Sequence, residues 1–219
     1  VALVSIWAAP QQFALWVQAL LSVAIVTAFG PLVYRVAYLI DSGVDPSNIL
    51  LLTFTRKSAQ EMLSRAGDLI GARSQRVCGG TFHSVANMLL RRHGRSIGVE
   101  PGFTILDRGD AEDLIALCRA QLGLNEKDKR FPRKGTIMEM ISKSENTLRS
   151  LDDILMEEFS HFADHLEDVR RLQQAYQSAK RQKQLLDYDD LLVLLRHLLS
   201  VDESSRAAIS RQYRYILVD

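Results

Sequence analysis

Three rhythms of apolar and polar residues follow one another along the chain. Up to residue 34 there is no charged side chain, and the run FALWVQALLSVAIVTAF (13–29) is interrupted only by Gln18, Ser22 and Thr27. A membrane-spanning helix needs about 20 mostly apolar residues, so a membrane helix is one reading of this stretch. No basic segment precedes it, which argues against a signal peptide.

From residue 31 the pattern becomes that of alternating helices and strands. Pro31 suits a first helical turn, and Leu32, Val33, Val36, Leu39 and Ile40 share one stripe at helical spacing, which predicts a helix ending near Ser42-Gly43. ILLLT (49–53) is apolar at consecutive positions, as in a parallel strand covered on both faces. Thr55 is placed to cap the next helix. Its apolar face is Ala59, Met62, Leu63, Ala66, Leu69 and Ile70, and Gly71 supplies its stop. A further helix is expected from about His83 to His93, with Val85, Ala86, Leu89 and Leu90 facing inward and Gly94 after it. Residues 31–94 therefore read as an α/β domain with a parallel sheet.

The third rhythm is purely helical. Between residues 108 and 184 strand signals vanish, and GDAEDLIALCRAQLGL, TIMEMISKSEN, SLDDILMEEF and LEDVRRLQQAYQSAKRQ each give an amphipathic helix. This is the pattern of an inserted helical subdomain. LDYDDLLVLLRHLL follows, with Asp187 as N-cap and Asp190 three residues on, a carboxylate version of the capping box. YRYILVD (213–219) then reads as a return to the sheet.

Composition changes this picture little. With 219 residues, 47% hydrophobic and 24% charged, the chain can bury a sizeable core and has the make-up of a soluble globular protein. A net charge of +1 gives no global pull toward nucleic acid, so any such site must be a local patch. One candidate is the loop EKDKRFPRK (126–134), with five basic and two acidic residues; taken alone it reads first as a solvated loop, with a phosphate-touching patch as the alternative. Cys78 and Cys118 are far apart and neither belongs to a CxxC pair, so no zinc site or disulfide framework is expected, as suits a cytoplasmic protein. His161 and His165 lie four apart on an expected helix, which without a third ligand is weak support for a metal. The chain starts at Val1 and stops at Asp219 directly after a strand-like run, so a piece of a longer protein is expected.

The chemistry gathers at two strand ends. In LLLTFTRKSAQEM (50–62) a buried strand runs into Thr53, Phe54 and Thr55, and a helix begins at once with Arg56 and Lys57. Ligands of open α/β sheets sit at the carboxyl ends of strands. Hydroxyls, a helix N-terminus and cations all suit phosphate, and a phenylalanine face suits a base. A core phenylalanine beside an ordinary helix cap fits the same residues. GGTFHSVANMLLRRHGR (79–95) repeats the device with Thr81, Phe82, His83 and Ser84, followed by Arg91, Arg92 and Arg95. No cysteine or aspartate stands at nucleophile spacing from His83, so no triad is read.

These segments resemble the N-terminal ATPase region of the UvrD/Rep/PcrA family of superfamily 1 DNA helicases. TFTRKSAQEM looks like the family's first single-stranded-DNA motif and GTFHS like its second. PGFTILD (101–107) is similar to the lead into the inserted subdomain, LDYDDLL (186–192) to the return into the ATPase core, and YRYILVD to the start of the Walker B strand. The resemblance runs from about residue 31 to 219. It implies a RecA-like parallel sheet of the P-loop NTPase type with an inserted all-helical subdomain. Residues 1–107 would form the first part of the ATPase domain, 108–184 the insertion and 185–219 the return. It also implies an ATP-driven motor moving 3′ to 5′ on single-stranded DNA and opening single-strand/duplex junctions, with a second motor domain as partner and no membrane. Thr53, Phe54, Thr55, Arg56, Thr81, Phe82, His83 and Ser84 would then line the DNA or the path coupling it to ATP, with Phe54 and Phe82 near bases. Asp219 would hold Mg²⁺ through the nucleotide phosphates.

One departure stands out. Where the family has the Gly-Lys-Thr of its phosphate loop, this chain has Thr27, Ala28 and Phe29. None brings the backbone access, the ammonium or the aligned hydroxyl that phosphate and Mg²⁺ need. The adenine-reading glutamine segment is not recognisable either, although Gln11 and Gln12 are present. A damaged phosphate-loop region is the preferred reading of the opening stretch, with the membrane helix second. Leu21–Val26 is apolar enough for a sheet strand. On this reading the chain is part of a helicase but inactive as an ATPase by itself; a non-catalytic single-stranded-DNA-binding remnant and a membrane-anchored helical protein are the alternatives.

Overall fold

The computed structural model describes residues 34–124 and 131–218. Residues up to Val85 together with those from Ala207 form one compact unit, and Ala86–Arg206 form another. The apolar run 13–29, and with it the choice between a membrane helix and a damaged phosphate loop, lies outside the described residues. Among those described, no helix is long and apolar enough to cross a membrane.

The first unit is built on a three-stranded parallel sheet. Strands β1 (Ile49–Thr53), β2 (Cys78–Thr81) and β5 (Tyr215–Val218) lie in the order β2-β1-β5. The uninterrupted apolar run of β1 suits its central place, where Ile49, Leu50 and Leu51 are all buried. A helix over 34–41, α1, precedes it, and its residues Val36 and Ile40 pack with Ile49, Leu51, Met62 and Val77. Gly43, at φ +90°, ends that helix in a conformation that costs a residue with a Cβ. Helix α2 (Arg56–Ile70) carries the chain from β1 to β2 and stops at Gly71, φ +64°. Helix α3 (Phe82–His93) starts as β2 ends.

The second unit is mostly helical. It holds α4 (Arg108–Gln121), α5 (Lys134–Thr147), α6 (Leu151–Glu158), α7 (Leu166–Gln182) and α8 (Tyr188–Val201). The four amphipathic stretches expected between residues 108 and 184 are helices in the structure. They enclose a core that includes Leu114, Ile115, Ile137, Ile141, Leu155, Leu172 and Tyr176. Two short strands, β3 (Thr104–Ile105) and β4 (Leu185–Leu186), pair in parallel and were not legible in the sequence. Their pairing brings the start and the finish of the helical stretch together. Helix α9 (Glu203–Gln212) precedes β5.

Two local readings change. His161 and His165 belong to a 3-10 turn, Ser160–His165, rather than to an α-helix. The ring of His161 lies tilted by 46° against Phe162, centres 4.0 Å apart, whereas that of His165 meets Phe131 edge-on with centres 5.3 Å apart, so both rings are engaged in aromatic packing. Arg91 donates to the carbonyl oxygens of Pro101 and Phe103 and lies 4.2 Å from the centre of the Phe103 ring, which makes it a tie within the second unit.

Candidate nucleic-acid interface

The register of the sheet sets the site. Thr53 of β1 stands opposite Thr81 of β2, so the two Thr-Phe turns leave the sheet side by side at its carboxyl edge. Gly79 and Gly80 allow the close fit there. A Cβ on Gly79 would stand 3.3 Å from the Cβ of Leu51, and one on Gly80 would stand 2.4 Å from Oγ of Ser84.

The turns solve the same problem with different spacing. In the first, Thr53 is fully buried and its hydroxyl donates to the carbonyl of Thr55 at 2.9 Å, so it shapes the turn and offers no surface to a ligand. Thr55 is the N-cap of α2, its Oγ1 accepting from the amide of Ser58 at 3.0 Å and sharing a hydrogen bond with the Ser58 hydroxyl. In the second turn Thr81 serves both ends. It is the last residue of β2, and its Oγ1 accepts from the amide of Ser84 at 3.2 Å while its carbonyl accepts from the Ser84 hydroxyl at 2.8 Å. The second turn is therefore two residues shorter.

That difference decides where the phenylalanines go. Phe54 precedes the cap, projects from the bend and is 82% exposed. Phe82 opens α3 and is half-buried. Their ring centres are 5.5 Å apart and tilted by 58°, within the range of favourable aromatic pairs. Burying a phenylalanine contributes about 1.5–3 kcal/mol, so a ring left in water forgoes that gain unless something covers it.

The electrostatics point the same way. Neither α2 nor α3 has an acidic residue in its first turn, where a carboxylate would stabilise the helix. Instead α2 opens with Arg56 and Lys57, both exposed, on the end of the dipole that repels cations. A purely structural turn gains nothing from this arrangement, whereas a polyanion is attracted by it. His83 is half-buried and Ser84 exposed, so of the eight residues expected at the site Thr53 alone is fully enclosed. Lys57, Ser58 and Gly80 join the eight. The Thr55-x-x-Ser58 spacing was the available signal for Ser58.

Asp219 lies outside the described residues; the strand that leads to it, β5, pairs with β1 through Leu52 and Val218. The residues aligned with a phosphate loop, Thr27, Ala28 and Phe29, also lie outside them, and their side chains do not fit ATP-Mg²⁺. Of the basic loop, residues 126–130 are likewise outside. Phe131 is buried, and Lys134 is paired with Asp113 at 2.6 Å.

A parallel sheet whose strand ends carry hydroxyls, aromatic rings and helix N-termini defines an α/β domain of the class that meets its ligands at the carboxyl edge. The chain belongs to the UvrD/REP helicase N-terminal domain family, whose model matches residues 31–219. It is 34% identical over 191 residues to an ATP-dependent DNA helicase PcrA of Staphylococcus epidermidis, and 32% identical over 189 residues to one of Staphylococcus aureus. Each match covers 86% of this chain and 25% of the relative, so the chain spans about a quarter of the length of these curated relatives.

Proposed function

We propose that the chain is part of an ATP-dependent 3′–5′ DNA helicase of the PcrA kind, and that its own contribution is a grip on single-stranded DNA. The observation that carries this reading is the contact of an exposed Phe54 with Phe82 at the ends of neighbouring strands, flanked by Arg56, Lys57 and two helix N-termini without acids. One base stacks on the open face of Phe54, with Phe82 backing that ring. The sugar-phosphate backbone runs along the first turns of α2 and α3, taking hydrogen bonds from Arg56, Lys57, Thr55 and His83, while Ser84, both of whose donors go to Thr81, lines the path. Thr53 and Gly80 hold the turns in shape. A grip of this kind is tolerant of sequence, since every base has a face to stack.

Residues 1–107 and 185–219 are assigned to the motor domain, and residues 108–184 to a helical subdomain inserted in it. The β3–β4 pairing, which joins the two ends of the helical stretch, supports the insertion. A second motor domain and junction DNA are the partners this assignment calls for. The 219 residues do not hydrolyse ATP by themselves, because Thr27, Ala28 and Phe29 supply neither lysine nor aligned hydroxyl. Asp219 is assigned to Mg²⁺ in the intact motor, and no step of the DNA grip passes through the nucleotide.

Fluorescence anisotropy with a labelled oligothymidine tests the grip. Phe54→Ala should weaken binding by about 1–3 kcal/mol, roughly 5- to 150-fold in Kd. Because the ring is exposed and gives up only its pairing with Phe82, its loss should lower the melting temperature by no more than a few degrees. An unaltered Kd in a folded variant removes the stacking role.

A further inference from the structure

Within the second unit, three carboxylates and one ammonium share an enclosed cluster at the meeting of α5, α7 and α8. Nζ of Lys180 donates to Asp187 at 2.6 Å and to Asp190 at 2.7 Å, and lies 4.6 Å from the centre of the Tyr176 ring. Asp187 also accepts from the Tyr176 hydroxyl at 2.8 Å and from the amide of Asp190 at 2.9 Å. Asp190 accepts from the amide of Asp187 at 2.9 Å, which closes the capping box of α8. Glu145, on α5, brings its carboxylate within 4.8 Å of the other two. Its Oε1 receives only a long bond, 3.5 Å, from Gln177, and its Oε2 is buried without a partner.

Three negative charges against one positive leave a net charge of about −2 in a region shielded from water, and burial of unpaired charge is costly. The partial positive charge at the start of α8 offsets part of it. Asp187 and Asp190 each hold the ammonium and an amide. Against the effect of burial, Lys180 holds the Asp187 carboxyl below its ordinary value, whereas burial, with the charge of Asp187 beside it, pushes that of Asp190 up. Glu145 holds neither ammonium nor amide. Burial first, and the charges of Asp187 and Asp190 next, push its carboxyl from 4.5 up to about 7 against the pull of Lys180. On the other two helices packed on α5, Glu112 pairs with Arg108, Asp113 with Lys134, Asp152 with Arg170, Asp153 with the Ser150 hydroxyl, and Glu157 and Glu158 with Arg149 and Lys143, while the guanidinium of Arg119 lies 4.5 Å from the centre of the Phe131 ring. The three carboxylates have the spacing of a cation site, but the ammonium of Lys180 already bridges two of them.

We propose that Glu145 is the neutral acid of this cluster in the folded chain, and that its proton latches α5 onto α8. Loss of the proton places a further uncompensated negative charge beside the cap of α8 and loosens the packing of the two helices. A second tie between the same helices, Asn146 to Asp189 at 2.9 Å, keeps them in register.

The native chain holds this proton more tightly than the unfolded chain, so its contribution to stability falls as pH rises from about 4.5 and levels off above about 7. Urea unfolding of the whole chain and of Glu145→Gln, an uncharged isostere, reads this difference. The ratio of their folding constants should shift against the native sequence by up to about tenfold per pH unit between about pH 5 and 7, then stay constant. A ratio independent of pH overturns the latch. Should Glu145→Gln fail to fold, the carbon-13 carboxyl resonance of Glu145 in the native chain decides. A midpoint near 7 supports the latch, and one near the ordinary 4.5 overturns it.

Discussion

Two lysine–aspartate pairs in this protein have the same length and should differ in worth. Lys180 stands 2.6 Å from Asp187 with both side chains almost wholly enclosed, whereas Lys134 stands 2.6 Å from Asp113 with both open to water. Lys180→Met removes the cation that bridges Asp187 and Asp190 and leaves two enclosed carboxylates without that counter-charge. Breaking a buried pair in this way costs about 3–5 kcal/mol. For a chain of this length that lowers the melting temperature by about 6–20 °C. The loss should shrink toward about pH 5, where the stranded carboxylates take up protons. Lys134→Met should leave the transition where it was, since exposed pairs contribute little. Thermal melts followed by far-UV circular dichroism at about pH 7.5 and about pH 5 give all four values. Equal melting temperatures for the two variants would refute the reasoning, because distance and not enclosure would then set the worth of an ion pair here.

Arg56→Gln with Lys57→Gln should lower the slope of log Kd against log salt for an oligothymidine by about 1.4, near 0.7 for each phosphate no longer neutralised. An unchanged slope would place the phosphates elsewhere. With ATP, Mg²⁺ and single-stranded DNA present, phosphate release by the 219 residues should stay at background; robust turnover would show that Thr27–Phe29 have been misread.

What the sequence made legible was local chemistry. The strand at residues 49–53, the caps at Thr55 and Asp187 and the two Thr-Phe turns each depend on neighbours a few residues away, and all are found where the pattern put them. What it hid depends on partners far along the chain. The strands β3 and β4 have two residues each and exist because residues 104–105 and 185–186 meet, which no periodicity announces. The two-residue difference between the turns, which exposes Phe54 and half-buries Phe82, follows from Thr81 doubling as cap. The Lys180 cluster did leave a trace. Val169, Leu172, Tyr176 and Lys180 follow one stripe of α7, and all four are buried. A lysine on an apolar stripe marks a buried charge, and Asp187 with Asp190 could have been named as its partners rather than as a cap alone.

The account turns on the claim that the paired Thr-Phe turns are where unpaired DNA is held. Photocrosslinking an oligothymidine bearing halogenated bases to the chain, followed by peptide mass spectrometry, tests it most directly. The crosslinks should fall on Phe54 and Phe82 and their immediate neighbours. Crosslinks confined to the helices between residues 108 and 184, with both turns untouched, would contradict it.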